Sequence, residues 1–310
     1  MRAGCLILFV VALGCFAVPA LAEGPAQVTV TGATNPAVAY IGVYVVDFKQ
    51  FNVAEGTFET NFYLNIRSGT NLSINDLEFI NGHVTSLDLI KDTAQEKNYR
   101  VYAVMTTDPD LRNFPFDNHT LPIIIEPKIL NENQLVIQID QNQTGISNEA
   151  NIPGWSFSGT NQSVMDKSYG PDEIPYSRVI FGYGIIRDTT STFLKFFLPI
   201  GLIVIVSLAS LLMKVSSRLG LNASMFLAAV LIHWRISDAI PLVAYATFLD
   251  LFMIITYATL VMVLISGILI LRYNEAHNVR RVEQINHWSI RIIPPVTLIL
   301  YCLLFISLWA

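Results

Sequence analysis

At 310 residues, 53% hydrophobic and only 14% charged, the chain is too apolar for an ordinary soluble protein, and its apolar residues gather at the two ends. A formal net charge of −5 excludes the basic surface that nucleic-acid binding requires. Residues 23–190 carry 10 Lys and Arg against 20 Asp and Glu, and residues 191–310 carry 8 against 4, so the first half is an acidic field that gathers cations.

Residues 1–22 combine Arg2, the apolar run Cys5–Val18 and the triplet Ala20-Leu21-Ala22, which predicts a secretory signal peptide and a mature chain beginning near Glu23. A lipoprotein signal ending at Cys15 is the competing reading, and Ala12 and the short preceding run count against it. Cys5 and Cys15 leave with such a signal and Cys302 lies in the last apolar segment, so no intrachain disulfide is expected.

Residues 23–190 predict an all-β, immunoglobulin-like sandwich outside the membrane. Short β-branched or aromatic runs recur between turn clusters at Val38–Phe51, Thr57–Arg67, Tyr99–Thr107, Thr120–Glu126, Gln134–Asp140, Trp155–Val164 and Arg178–Ile186. Glu55-Gly56 marks the first turn, and Phe58, Phe62, Leu64 and Ile66 give the second strand an inward stripe. Residues 191–310 predict an all-α domain of four spanning helices at about 193–213, 217–240, 247–271 and 292–309, each near the ~20 residues a bilayer requires. Lys214 and Arg218 follow the first segment, and Arg272, Arg280, Arg281 and Arg291 fall in or beside a short link at 272–291. The 241–246 joint has no Lys or Arg, so both basic connections are expected in the cytoplasm and both chain ends outside. The expected location is the cell (inner) membrane, multi-pass, with a periplasmic or extracellular N-terminal domain.

Within the second segment Gly220, Ser224, Leu227, Leu231, Trp234 and Asp238 recur at steps of 4, 3, 4, 3 and 4. They share one helix face, graded from small and polar through apolar to acidic. Such a face suits a water path; it equally suits the buried side of a helix in a bundle, with Gly220 and Ser224 allowing close packing. His233, Arg235 and Asp238 form either an ion-binding cluster or, as the sequence favours, interfacial solvation of a helix end.

The run Leu111-Arg112-Asn113-Phe114-Pro115-Phe116-Asp117-Asn118-His119-Thr120-Leu121 reads locally as a turn fixed by Pro115 and Asp117. It also resembles the signature loop of pentameric ligand-gated ion channels, with Phe-Pro-Phe-Asp at its centre and none of the loop cysteines of the animal members, which places the resemblance in the prokaryotic branch. Arg187, Pro199, the Arg218-Leu219 start and the Pro241 end of the second span extend the likeness over essentially the whole mature chain.

The resemblance implies a homopentamer, a five-fold ring in a lipid bilayer with five copies of the 217–240 helix around an axis. Leu227, Leu231 and Trp234 become the expected gate, and Asp238 an outer ring of carboxylates favouring cations. Ser216-Ser217 depart from the Glu that cation channels of the family carry there, and Arg218-Leu219-Gly220-Leu221 partly resembles anion-selective members, so cation permeation rests on Asp238 and the acidic domain. Coupling between domains falls to Arg112, Phe114, Pro115, Phe116, Asp117, Arg187 and Pro241, with an Asp117–Arg187 pair and an aromatic tip pressing on the link after the second span.

For the agonist, implied to bind between subunits, the matching stretches give His83, Tyr169 and Tyr176 on one face and Arg67 and Tyr102 on the other. No aromatic residue stands in 126–133, which counts against a complete aromatic box. Glu126, Glu132, Asp172 and Glu173 suggest either a divalent-ion site or a solvated acidic face. Small molecules, protons and divalent cations all stay open as agonists. The five histidines have no metalloprotease spacing, Gly154-Trp155-Ser156-Phe157-Ser158 lacks the closing glycine of a nucleophile elbow, and no cofactor is expected. A non-conducting receptor or adhesion module on a helical anchor is the rival class.

Overall fold

The computed structural model describes residues 35–238 and 240–308; the signal-peptide reading of 1–22 and the last residue of the fourth expected span lie outside them. The first half is a two-sheet sandwich. One sheet has the order β4 (Gly82–Asp92), β5 (Glu96–Thr106), β2 (Thr57–Ser68), β1 (Ala37–Asn52) and β7 (Leu135–Ile139), with β8 (Gly145–Ile146) also paired to β1. The other runs β3 (Leu77–Phe79), β6 (Asn118–Pro127), β10 (Ile174–Arg187) and β9 (Trp155–Tyr169).

Alternation explains the core. Phe58, Phe62, Leu64 and Ile66 of β2 are all buried against Ile41, Val43 and Val45 of β1 and against Ile123, Ile125, Val179 and Phe181 of the facing sheet. At the β1–β2 turn Gly56 has φ 63°, and a Cβ there would lie 2.4 Å from the Thr107 carbonyl oxygen, so only glycine closes this hairpin.

Four helices long and apolar enough to cross a membrane follow directly: α1 (Thr189–Leu212), α2 (Val215–Ser237), α3 (Phe248–Glu275) and α4 (Val279–Ile306). α1 starts two residues after Arg187, capped by Asp188, whose carboxylate accepts from the Thr190 and Ser191 amides. Its Phe193–Phe197 turn widens to π winding just before Pro199, whose ring has no N–H and crowds the carbonyl four residues back. α3 is capped by a reciprocal box between Thr247 and Asp250.

The link expected at 272–291 is helical except for Ala276–Asn278. Its Arg, Glu, Gln and Asn residues break the apolar run but not the helix, and His277 at φ 52° makes the turn. Arg218 also departs from expectation. It is fully buried against α3, with no hydrogen-bond partner for its guanidinium nitrogens among the described residues, rather than free in the α1–α2 connection.

Candidate functional site

The end of β10 and the start of β6 are adjacent in register, Ile186 opposite Asn118, and the next pair along is Arg187 and Asp117. The Arg187 amide donates to the Asp117 carbonyl at 3.2 Å, and its guanidinium donates Nε to Oδ1 at 2.6 Å and Nη2 to Oδ2 at 2.8 Å. Asp117 Oδ2 also lies 2.6 Å from Nε2 of buried His119. The guanidinium lies 4.2 Å from the centre of the Trp155 ring and 5.0 Å from that of Phe114. Burial alone would raise the Asp117 pKa, but the bonds from Arg187 and His119 outweigh it and bring the carboxyl from 3.8 down to about 2. A charged, bidentate, nearly dry pair therefore fastens the last strand of the sandwich, from which α1 springs, to the loop before β6.

That loop inserts into the helices. Phe114 and Leu111 belong to the apolar cluster at the head of the helical unit, and Phe116 stacks on Phe197 at 5.3 Å between centroids with Phe248 and Phe305 edge-on. Each buried ring contributes roughly 2–3 kcal/mol of apolar burial. The free N–H groups of the α3 end are taken up by the same loop: Phe248 donates to the Arg112 carbonyl at 2.8 Å and Leu249 to the Phe114 carbonyl at 3.1 Å. Tyr245 accepts the Leu111 amide at 2.9 Å and underlies the Arg112 guanidinium, which pairs with Asp110. The aromatic tip thus packs on the heads of α1, α3 and α4, driven by apolar area, while the same loop touches the link after α2 through Tyr245. Pro115 is buried beside it, and Pro241 lines a 410 Å³ cavity with Arg112.

On α2 the buried residues are Arg218, Asn222, Ala229 and Ile236, and Asn222 is held by Ser207, Ser210 and the Arg218 carbonyl. Gly220, Ser224, Leu227, Leu231, Trp234 and Asp238 are all exposed on the opposite side, with Leu227 at 60% and Trp234 at 66%. This row is not the core of the protomer's own bundle. His233 is no snorkelling side chain: its Nδ1 lies 3.0 Å from the Tyr257 hydroxyl and its Nε2 3.6 Å from Asp250 Oδ1, bridging α2 to α3. Arg235 and Asp238 line a cavity with Lys195 and Pro199 of α1.

The chain is similar to a proton-gated ion channel. That protein, from Gloeobacter violaceus (strain ATCC 29082 / PCC 7421), is 19% identical over 243 residues, covering 70% of this chain and 68% of its own length. No family model matches the chain. A β-sandwich followed by four apolar helices is the architecture expected from the loop motif, and it is the architecture found.

A second concave site lies on the four-stranded sheet. A 420 Å³ cavity is lined by Glu78, Ile80, Glu126, Lys128, Tyr169 and Tyr176. The Tyr169 hydroxyl donates to buried Glu126 at 3.1 Å, and Glu126 pairs with Arg178, whose Nη2 donates to the same hydroxyl at 2.5 Å. Burial, with the Glu126 carboxylate next to it, raises the Tyr169 pKa. The β9–β10 hairpin is thereby latched to β6. Tyr169→Phe is expected to lower stability by about 1 kcal/mol, discounted for exposure, and to speed amide exchange at Ile174–Ser177; unchanged exchange would mean the hydroxyl holds nothing.

Of the other expected ligand residues, His83 is exposed on β4 and Tyr102 and Arg67 lie on β5 and β2, all on the six-stranded sheet. His83 is therefore grouped with Arg67 and Tyr102, not with Tyr169, because the chain turns to the other sheet after β3. Arg67 pairs with Asp140, and Tyr102 packs under Lys49 and Arg100. Glu126 is spent on Arg178, Glu132 donates its amide to Pro175, and Asp172 and Glu173 are exposed in the hairpin turn. Among the described residues no three acidic, histidine or cysteine side chains group to hold a metal.

Sequence reasoning missed His119 and Trp155 as partners of Asp117 and Arg187. The only signal was that His119 shares a strand face with Asp117, two residues away.

Proposed function

We propose that the chain is one subunit of a homopentameric channel, opened by a ligand or ion acting on the outer sandwich and favouring cations. The observation that carries this reading is the exposed row on α2. A helix packed on one side by Arg218, Asn222, Ala229 and Ile236 offers a graded polar-to-apolar-to-acidic face on the other, which suits an axis shared with other copies. The similarity to a proton-gated channel supports the same class. Two unlike edges support a head-to-tail ring: β4 exposes Leu87, Leu89 and Ile90, and β9 exposes Val164 and Met165. The sandwich and both chain ends would lie outside the cell membrane, the α1–α2 and α3–α4 turns inside. Ligand capture under the Tyr169–Tyr176 hairpin would shift the joint at Asp117–Arg187, and with it α1 and α3, between two arrangements of different pore width.

Planar-bilayer recording of the purified protein over a panel of pH steps and small amines tests this reading. In a Cys302→Ala background, single cysteines at Ser224, Leu227, Leu231 and Asp238 are expected to lose at least half their current to a charged thiol reagent, and cysteines at Asn222 and Ala229 none. Currents with no such periodicity would place the pore elsewhere. No current from a folded pentamer under any of these conditions would favour the adhesion-module reading. In asymmetric salt the reversal potential is expected to move toward the cation equilibrium.

A further inference from the structure

Arg218 is the largest fully buried side chain among the described residues, and its Nε, Nη1 and Nη2 have no hydrogen-bond partner among them. A guanidinium stays protonated, and a charge taken out of water without a counter-charge is costly, so its position in a spanning helix calls for a functional account. Arg218, Asn222, Ala229 and Ile236 recur at steps of 4, 7 and 7 on the buried face of α2. Two residues separate Arg218 from Gly220, a turn of about 200° that sets the charge behind the exposed row. Asn222 fixes that orientation: its Nδ2 donates to the Arg218 carbonyl at 2.9 Å and to the Ser210 hydroxyl at 2.6 Å. Ser216, Ser217 and Gly220 are exposed near the same level and carry no charge, while Lys214 is exposed at the N-cap, outside the first turn.

The space for the guanidinium exists because residue 267 of α3 is glycine. A Cβ there would lie 2.8 Å from Leu219 Cδ2 and 3.7 Å from Arg218 Nε, so a side chain pushes into the room that Leu219 and the guanidinium share. Glycine is the poorest helix former after proline, so close packing rather than propensity accounts for it. We propose that Gly267 determines the ion specificity of the path: it keeps five guanidinium groups stowed behind the α2 row. The inner end is then a neutral ring of Ser217 and Gly220, and Asp238 sets the sign of the permeating ion. A side chain at 267 turns Arg218 out beside Ser217 and adds a cationic ring, which repels cations and draws anions. The inference rests on the channel reading of α2 and places a determinant one helix behind the row.

Two readouts on Gly267→Val test it. Phenylglyoxal labelling of the full chain in detergent, followed by peptide mass spectrometry, reads burial without any current. In the unmodified protein Arg218 is expected to label at least ten-fold more slowly than exposed Arg280, and in Gly267→Val the two rates should converge. Reversal potentials in asymmetric sodium chloride read the sign. Gly267→Val should lower the sodium-to-chloride permeability ratio at least ten-fold, and adding Arg218→Gln should restore the parent's ratio. Gly267→Ala, for which the end of Leu219 has to move, should give a smaller shift in the same direction and serves if the valine variant does not assemble. Arg218 labelling as fast as Arg280 in the unmodified chain, or staying protected in both variants, would overturn the proposal. So would a variant that exposes Arg218 with an unchanged ratio, or a shift that persists once Arg218 is Gln. An unmodified pentamer that stays silent while Arg218 is protected would sink the channel reading, and this role with it, a result distinct from a conducting variant of unchanged ratio.

Discussion

Replacing Arg187 with Gln is expected to cost about 3–5 kcal/mol, the usual penalty for leaving one partner of a buried ion pair unpaired, and to remove the response to agonist while leaving the helices assembled. Asp117 is 2% exposed and takes three bonds, two of them from Arg187. Without the guanidinium, the carboxylate keeps only His119. Arg187→Lys should recover little, because an ammonium cannot reproduce the paired Nε and Nη2 contacts or the stacking over Trp155. The pH dependence carries a sign. The folded carboxyl titrates at about 2 against an ordinary 3.8, so its contribution is complete above 3.8 and is lost as pH falls through about 2. A depression of nearly two units is worth about 2 kcal/mol. Thermal unfolding of the unmodified protein should therefore show an acid-dependent loss between pH 4 and 2, and Arg187→Gln should lack most of it. An unfolding curve and agonist response identical to the parent's would mean that the pair neither fastens nor couples. The same position of the pKa says that Asp117 stays charged from pH 4 upward, so an opening response at milder acidity has to come from another group.

Why the pair was legible while its surroundings were not is a matter of sequence distance. Asp117 and Arg187 could be matched only through a motif resemblance, since 70 residues separate them. His119 and Trp155 join them through the β6–β10–β9 register, which no local pattern announces. The helices were legible because hydropathy and length are local properties, and the α2 row because its period is that of the helix. β4 was not: its apolar residues Leu87, Leu89 and Ile90 face solvent, so the usual inward alternation is missing. The 272–291 stretch misled for the opposite reason, because polar residues ended the apolar run while the backbone continued as helix. Phe116 was expected against the link after the second span, and its ring packs on Phe197, Phe248 and Phe305. Sequence shows that two phenylalanines are present at a turn; only packing shows that they complete the aromatic head of α1, α3 and α4.

Truncating Leu227 to Ala is expected to produce current without agonist, with at least a ten-fold rise in the resting open fraction. Leu227 is 60% exposed and Leu231 52% on a face that the protomer's own helices leave bare, with Ser224 one turn toward the α2 start and Trp234 one turn beyond. If five copies bring these side chains to an axis, two apolar rings about one turn apart enclose a short passage that water leaves unless it widens. Removing three carbons from each of five side chains widens and wets it, which lowers the free energy of the conducting state without touching the sandwich. Ten-fold corresponds to about 1.4 kcal/mol for the ring as a whole, a small fraction of the apolar area altered. Leu227→Ile, which conserves volume, should leave resting current near the parent's. Ala229→Val serves as a control on the opposite face: Ala229 is fully buried, so overpacking there should lower stability rather than open the path. Should Leu227→Ala stay silent at rest while agonist still evokes current, the gate is not at this ring. Trp234, the bulkiest side chain of the row, would then be the next to truncate.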